Sequence, residues 1–172
     1  VLTIKRIDAI AATRCSACSL RHASTRLSAC PERVFAGRPS SARLTRQVGV
    51  CVVSSGIAHI NAMAGLLNAH YDGAPMLLIT GANESNTLGR GGFQDIDHIA
   101  MCESFCKHAE QVARPERIPQ AVAECFHAAT TGRPGPTHLT IPRDILLGEV
   151  PDGLPMPSLG TRGAVEQSAA PL

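Results

Sequence analysis

Three short, uninterrupted apolar runs constrain what this chain can fold into. They are Val48–Ser54 (VGVCVVS), Met76–Thr80 (MLLIT) and Thr137–Ile141 (THLTI). Each is rich in aliphatic and β-branched residues and lacks the polar alternation of a half-exposed strand, so each reads as a strand buried on both faces. None approaches the roughly 20 residues needed to cross a bilayer. Helical patterns separate them. Residues 57–70 place Ile57, Ile60, Ala64 and Leu67 on one face, and Asp72-Gly73 ends that helix. Pro115 opens a second helix at its first turn, Ile118, Val122, Cys125, Phe126 and Ala129 line its apolar side, and Gly132 closes it. A glycine-rich loop spans Gly81–Gly92, and Gly132–Pro136 is a rigid turn. Strands alternating with helices define an α/β class with a parallel sheet flanked by helices. Such sheets bind ligands beyond the carboxyl ends of their strands. The loops after Val53 and Thr80 both fall there.

Charge divides the chain. Residues 1–46 hold nine Lys/Arg and two acids, a net +7, whereas the rest holds seven basic and twelve acidic residues, a net −5. The first segment is rich in Arg, Ser, Ala and Cys and shows no periodicity. Three readings of it stay open: a disordered basic arm, a mitochondrial-type presequence, and a misassigned or out-of-frame gene start, because the residues after it read as a domain entered in its middle. Domain organisation is accordingly expected as a basic non-domain segment at 1–41, a domain at 42–148, and a Pro/Gly-rich linker or tail at 149–172.

The seven cysteines are an odd number, with no apolar leader at the N-terminus. Free thiols and a reducing, cytoplasmic setting are expected. Cys51 and Cys125 read as small buried hydrophobes. Cys15, Cys18, His22 and Cys30 offer zinc-ligand types, but their later spacings fit no zinc-finger or knuckle pattern. The basic arm holds one aromatic residue, Phe35, and no nucleic-acid motif, so no nucleic-acid partner is expected, and no membrane.

Five segments in order resemble the acetolactate synthase group of thiamine-diphosphate-dependent enzymes. They are Val48–Asn61 (VGVCVVSSGIAHIN), Ala74–Gly81 (APMLLITG), Gly89–Asp97 (GRGGFQDID), Lys107-His108, and Gly132–Asp144 (GRPGPTHLTIPRD). The resemblance covers residues 42–148. It implies an N-terminal pyrimidine-binding domain, incomplete at its own N-terminus, and thiamine diphosphate as cofactor. In such enzymes a glutamate bonds to the pyrimidine N1′, and the cofactor then does the organic chemistry. Ala42-Arg43-Leu44-Thr45 matches the end of the segment that carries this glutamate, but counting back at the family's spacing lands on Pro31, one place from Glu32. Either Glu32 is the catalytic acid or its place is chance. Pro39 disfavours the helix expected there.

The resemblance further implies cofactor-binding roles for Ser55, Gly56, Ile57 and Asn61. Gly56-Ile57-Ala58 stands where the family has Gly-Pro-Gly, with bulkier residues at the last two places. Gln94 is expected near the reacting centre, and Phe93 at the substrate cleft or interface. Lys107 is expected to hold an anionic substrate group or a partner subunit. Asp95 is expected either beside Gln94 in the cleft or as the cap of the helix that follows. No protein metal ligand is assigned, because Mg²⁺ comes with the diphosphate-binding domain, whose Gly-Asp-Gly motif does not occur in the chain. The chain is therefore expected to be one half of an oligomeric 2-oxo acid carboligase or decarboxylase, of transferase or lyase type, as a fragment or split subunit inactive alone. Its diphosphate-binding domain would lie on another chain or be missing from this one. The alternative is a non-catalytic remnant or interaction domain.

Overall fold

The computed structural model describes residues 47–150 and Pro157. The basic segment, including Glu32, and nearly all of the expected tail lie outside the described residues. In chain order the elements are β1 (Gly49–Val53), α1 (Ile57–Asp72), β2 (Met76–Ala82), α2 (His98–Cys102), β3 (Ala109–Gln111), a 3-10 turn (Pro115–Arg117), α3 (Ile118–Thr130), β4 (Pro136–Pro142) and α4 (Arg143–Leu147). The strands form one sheet in the order β1-β2-β4-β3, and every pairing is parallel. The α/β class and the parallel sheet flanked by helices are as expected. No helix among the described residues is long and apolar enough to cross a membrane.

The pleat sorts the strand residues onto two faces. Val50, Leu77, Ile79, Leu139 and Ile141 pack against Ala121, Val122, Cys125, Phe126 and Ala129 of α3. Cys51, Met76 and Leu78 pack on the other side against Ala62, Leu66 and Ala69 of α1 and Cys102 of α2. Burying each large aliphatic side chain contributes about 1.5–3 kcal/mol, so both helical layers are needed to hold the sheet.

The face that α1 buries differs from the expected one. Its buried residues are His59, Ala62, Gly65, Leu66 and Ala69. Ile57, Ile60 and Leu67 are exposed. The reason is close approach: small side chains at 62, 65 and 69 let the helix backbone sit near the sheet, and His59 is tolerated inside because a partner satisfies it. Gly73 ends α1 in the left-handed conformation, with φ 62° and ψ 34°, and the Arg133 guanidinium donates to the terminal carbonyls of His70 and Tyr71 at 3.2 and 2.9 Å.

Candidate functional site

The loop after β1 and the Phe93–Gln94 segment meet at the carboxyl edge of the sheet. Ser55 Oγ donates to the Gln94 carbonyl at 3.0 Å. Gly56, the residue before α1, has φ 62° and ψ −115°, a conformation that suits glycine. A Cβ at this position would lie 2.4 Å from Gln94 Cβ and 2.7 Å from its Cγ. The missing side chain of Gly56 is thus what lets Gln94 lie against the turn. Gln94 itself has φ 57° and is the only non-glycine residue with positive φ among the described residues. Backbone strain of this kind gathers at functional sites.

Around this contact the side chains are open. Ile57 is 63% and Phe93 85% exposed, and Asn61 is exposed on the next turn of α1. Asn83, just past β2, holds the Phe93 segment by donating from Nδ2 to the Phe93 carbonyl at 3.0 Å. Asp95 organises the glycine-rich loop: its carboxylate accepts from the Gly91 N–H at 3.1 Å. The backbone N–H of Gly89 first, and those of Gly91, Arg90 and Gly92 after it, hold the carboxyl below its usual range. Asp95 does not cap the following helix. Asp97 does, accepting from Ile99 and Ala100 N–H at 3.1 and 3.0 Å.

Lys107 is not brought to this edge. Its N–H donates to the Pro136 carbonyl at the start of β4, which is the amino edge of the sheet. Its ammonium caps the end of α3, donating to the carbonyls of Ala128 and Thr131.

A buried polar cluster lies directly under the Ser55-Gly56 turn. His98 Nε2 faces Ser55 Oγ at 3.3 Å and the Gly56 N–H at 3.4 Å. Burial first, and the nearby His59 and His138 second, push the His98 imidazole down to about 4. Its ring sits edge-on to His59, with centroids 4.6 Å apart. His59 Nδ1 pairs with Thr80 Oγ1 at 2.9 Å, and the same hydroxyl reaches His138 Nε2 at 3.1 Å. Cys102 Sγ lies 3.6 Å from His59 Nε2. His138 Nδ1 is the single buried side-chain nitrogen or oxygen without a hydrogen-bond partner among the described residues, a state that costs about 1–3 kcal/mol. Sequence reasoning missed this cluster. Its members are spread from residue 59 to residue 138, only His98 and Cys102 being near in the chain, and the one local sign was a histidine inside the apolar run of β4.

The fold and this edge define a class: a parallel α/β domain with a ligand-type rim beyond the carboxyl ends of β1 and β2. The family is narrower. Residues 34–101 match the family described as "Thiamine pyrophosphate enzyme, N-terminal TPP binding domain". The chain is 38% identical over 109 residues to the probable acetolactate synthase large subunit of Methanocaldococcus jannaschii, covering 63% of this chain and 18% of that protein. It is 41% identical over 109 residues to the acetolactate synthase large subunit of Corynebacterium glutamicum, covering 63% and 17%. Against the acetolactate synthase isozyme 3 large subunit of Escherichia coli it is 36% identical over 105 residues, covering 61% and 18%. These similarities support a thiamine pyrophosphate-dependent, acetolactate synthase-like family for this part of the chain, and the chain spans less than a fifth of the length of these relatives.

Proposed function

We propose that this chain supplies the pyrimidine-binding half of a thiamine diphosphate site in an acetolactate synthase-like 2-oxo acid carboligase or decarboxylase. The observation that carries the reading is the junction of Ser55-Gly56 with Gln94 at the carboxyl edge, across 39 residues of sequence. The rim fits a flat aromatic ring: a glycine backbone with no side chain of its own, the exposed apolar Ile57 and Phe93, and an amide at Gln94 able both to donate and to accept. Ser55, Gly56, Ile57 and Asn61 would hold the ring, Gln94 would reach the reacting centre, and Phe93 would border the substrate. Glu32 is the proposed acid at N1′. Thiamine diphosphate, when bound, supplies the carbanion nucleophile, and Mg²⁺ would come with the diphosphate-binding domain.

The exposed side of α1 supports a further domain as partner. Ile57, Ile60, Leu67 and Tyr71 all stand exposed on it, 41–73% accessible, and grouped apolar exposure of this kind marks surfaces that another body covers. The relatives' much greater length supports the same reading. The chain alone is then expected to turn over no pyruvate with thiamine diphosphate and Mg²⁺, and turnover above a protein-free control would count against it.

The direct test is a nuclear magnetic resonance titration of the chain with thiamine and thiamine diphosphate. Shifts should cluster at the amides of 55–61 and 93–94. Shifts centred elsewhere, or none at millimolar thiamine, would overturn the reading and leave a non-catalytic interaction domain.

A further inference from the structure

We propose that His59, His138 and Cys102 form a buried binding site for one zinc-class divalent ion, with Cys106 as its fourth ligand. The site is separate from the cofactor rim above it and does not depend on the function proposed there.

Donor chemistry and spacing motivate the assignment. One ring nitrogen from each histidine and the Cys102 sulfur lie within 4.8 Å of one another, and all three residues are fully buried. Cys102 Sγ and His59 Nε2 are 3.6 Å apart. Two ligands at ordinary Zn–N and Zn–S distances on a tetrahedron are about 3.5 Å apart. Imidazole with thiolate is a donor set that selects zinc over magnesium or calcium.

The surroundings are those of a ligand set. A metal-bound histidine usually gives its other ring N–H to an acceptor that fixes its tautomer. Thr80 Oγ1 takes that place for His59, at 2.9 Å from Nδ1, which leaves Nε2 facing Cys102. On His138, Thr80 and Thr140 hydroxyls approach Nε2 at 3.1 and 3.5 Å, while Nδ1 is buried with no partner. A satisfied hydrogen-bond cluster would not leave that nitrogen orphaned.

Charge selects the fourth ligand. A divalent ion with one thiolate keeps a net positive charge in a buried place, which is costly. A second thiolate makes the site neutral. Cys106 follows Cys102 by one turn, its N–H donating to the Cys102 carbonyl at 2.9 Å; its thiol lies outside the three-ligand group and would rotate in to complete the site. The ion would tie α1, the end of α2 and β4 together under the Ser55-Gly56 turn.

The experiment uses the full chain with Cys15, Cys18 and Cys30 changed to serine, so that the N-terminal thiols cannot report. Refolding with Co²⁺ as probe should give one equivalent of tetrahedral cobalt with thiolate charge-transfer absorption. Cys102→Ser should abolish that absorption, Cys106→Ser should lower it by about half, and Thr80→Val should weaken binding about 10–100-fold. If Cys102→Ser fails to fold, X-ray absorption of the zinc-loaded parent decides, with two sulfur and two nitrogen neighbours expected. The proposal is overturned if no stoichiometric tetrahedral cobalt forms, if the spectrum survives Cys102→Ser, or if zinc shows only oxygen and nitrogen neighbours.

Discussion

Replacing Gly56 by alanine places a methyl group where Gln94 now lies. Two costs add. The φ of 62° with ψ −115° at this position disfavours any residue with a Cβ, by about 1–3 kcal/mol. The new Cβ would lie 2.4 Å from Gln94 Cβ, and forcing atoms into an occupied place costs about 1–3 kcal/mol more. Alanine also stiffens the unfolded chain, which offsets about 0.4–1 kcal/mol. A net loss of about 3 kcal/mol is expected. The second part can be isolated. Gln94→Gly removes the obstructing side chain and relieves the positive φ of residue 94. In that background Gly56→Ala should cost only the backbone part, so a double-mutant cycle should show a coupling of about 1–3 kcal/mol. Urea unfolding of the four proteins at neutral pH, with equal m-values, measures it. A cost of Gly56→Ala below about 1 kcal/mol, or strict additivity with Gln94→Gly, would falsify the placement of Gln94 over the turn and with it the geometry of the rim.

Other outcomes are expected from the same structure. Leu66→Ala should cost about 2–5 kcal/mol in urea unfolding, because Leu66 is fully buried, whereas Leu67→Ala should cost under about 1 kcal/mol; the reverse order would restore the helix face expected from periodicity. Glu124 is held down to about 2 from 4.5 by Arg117 first and Gln120 second, so its contribution is present above about 4.5 and fades as pH falls towards about 2. With its side chain 39% exposed, screening limits that contribution to less than about 1 kcal/mol, and the stability gap between the parent and Glu124→Gln should close on acidification; a gap that widens there contradicts the ion pair. Lys107→Gln should lose about 0.3–1 kcal/mol through the uncapped end of α3, and should leave thiamine-induced amide shifts unchanged; altered shifts would return Lys107 to the ligand site.

Local structure was legible in the residues themselves. Short runs of aliphatic and β-branched residues bounded by turn residues favour buried strands, so β1, β2 and β4 could be read within two residues at each end. Glycines and prolines at 73, 115 and 132 marked the breaks through their own backbone limits. The five matching segments placed Ser55, Gly56, Phe93 and Gln94 in one functional group. The short elements α2 and β3 were not legible, because five and three residues carry no period to detect. Packing in three dimensions settled which face of α1 is buried. Hydropathy ranks Ile57, Ile60 and Leu67 above Ala62, Gly65 and Ala69, but close packing on a sheet rewards small side chains over large ones. It also sent Lys107 to the amino edge, because β3 runs parallel to β4 and starts just after it. The cluster of His59, Thr80, His98, Cys102 and His138 exists only once three crossovers have stacked α1 and α2 over one face of the sheet. Contacts between residues so far apart in the chain are set by register and layer order, which no local spacing encodes.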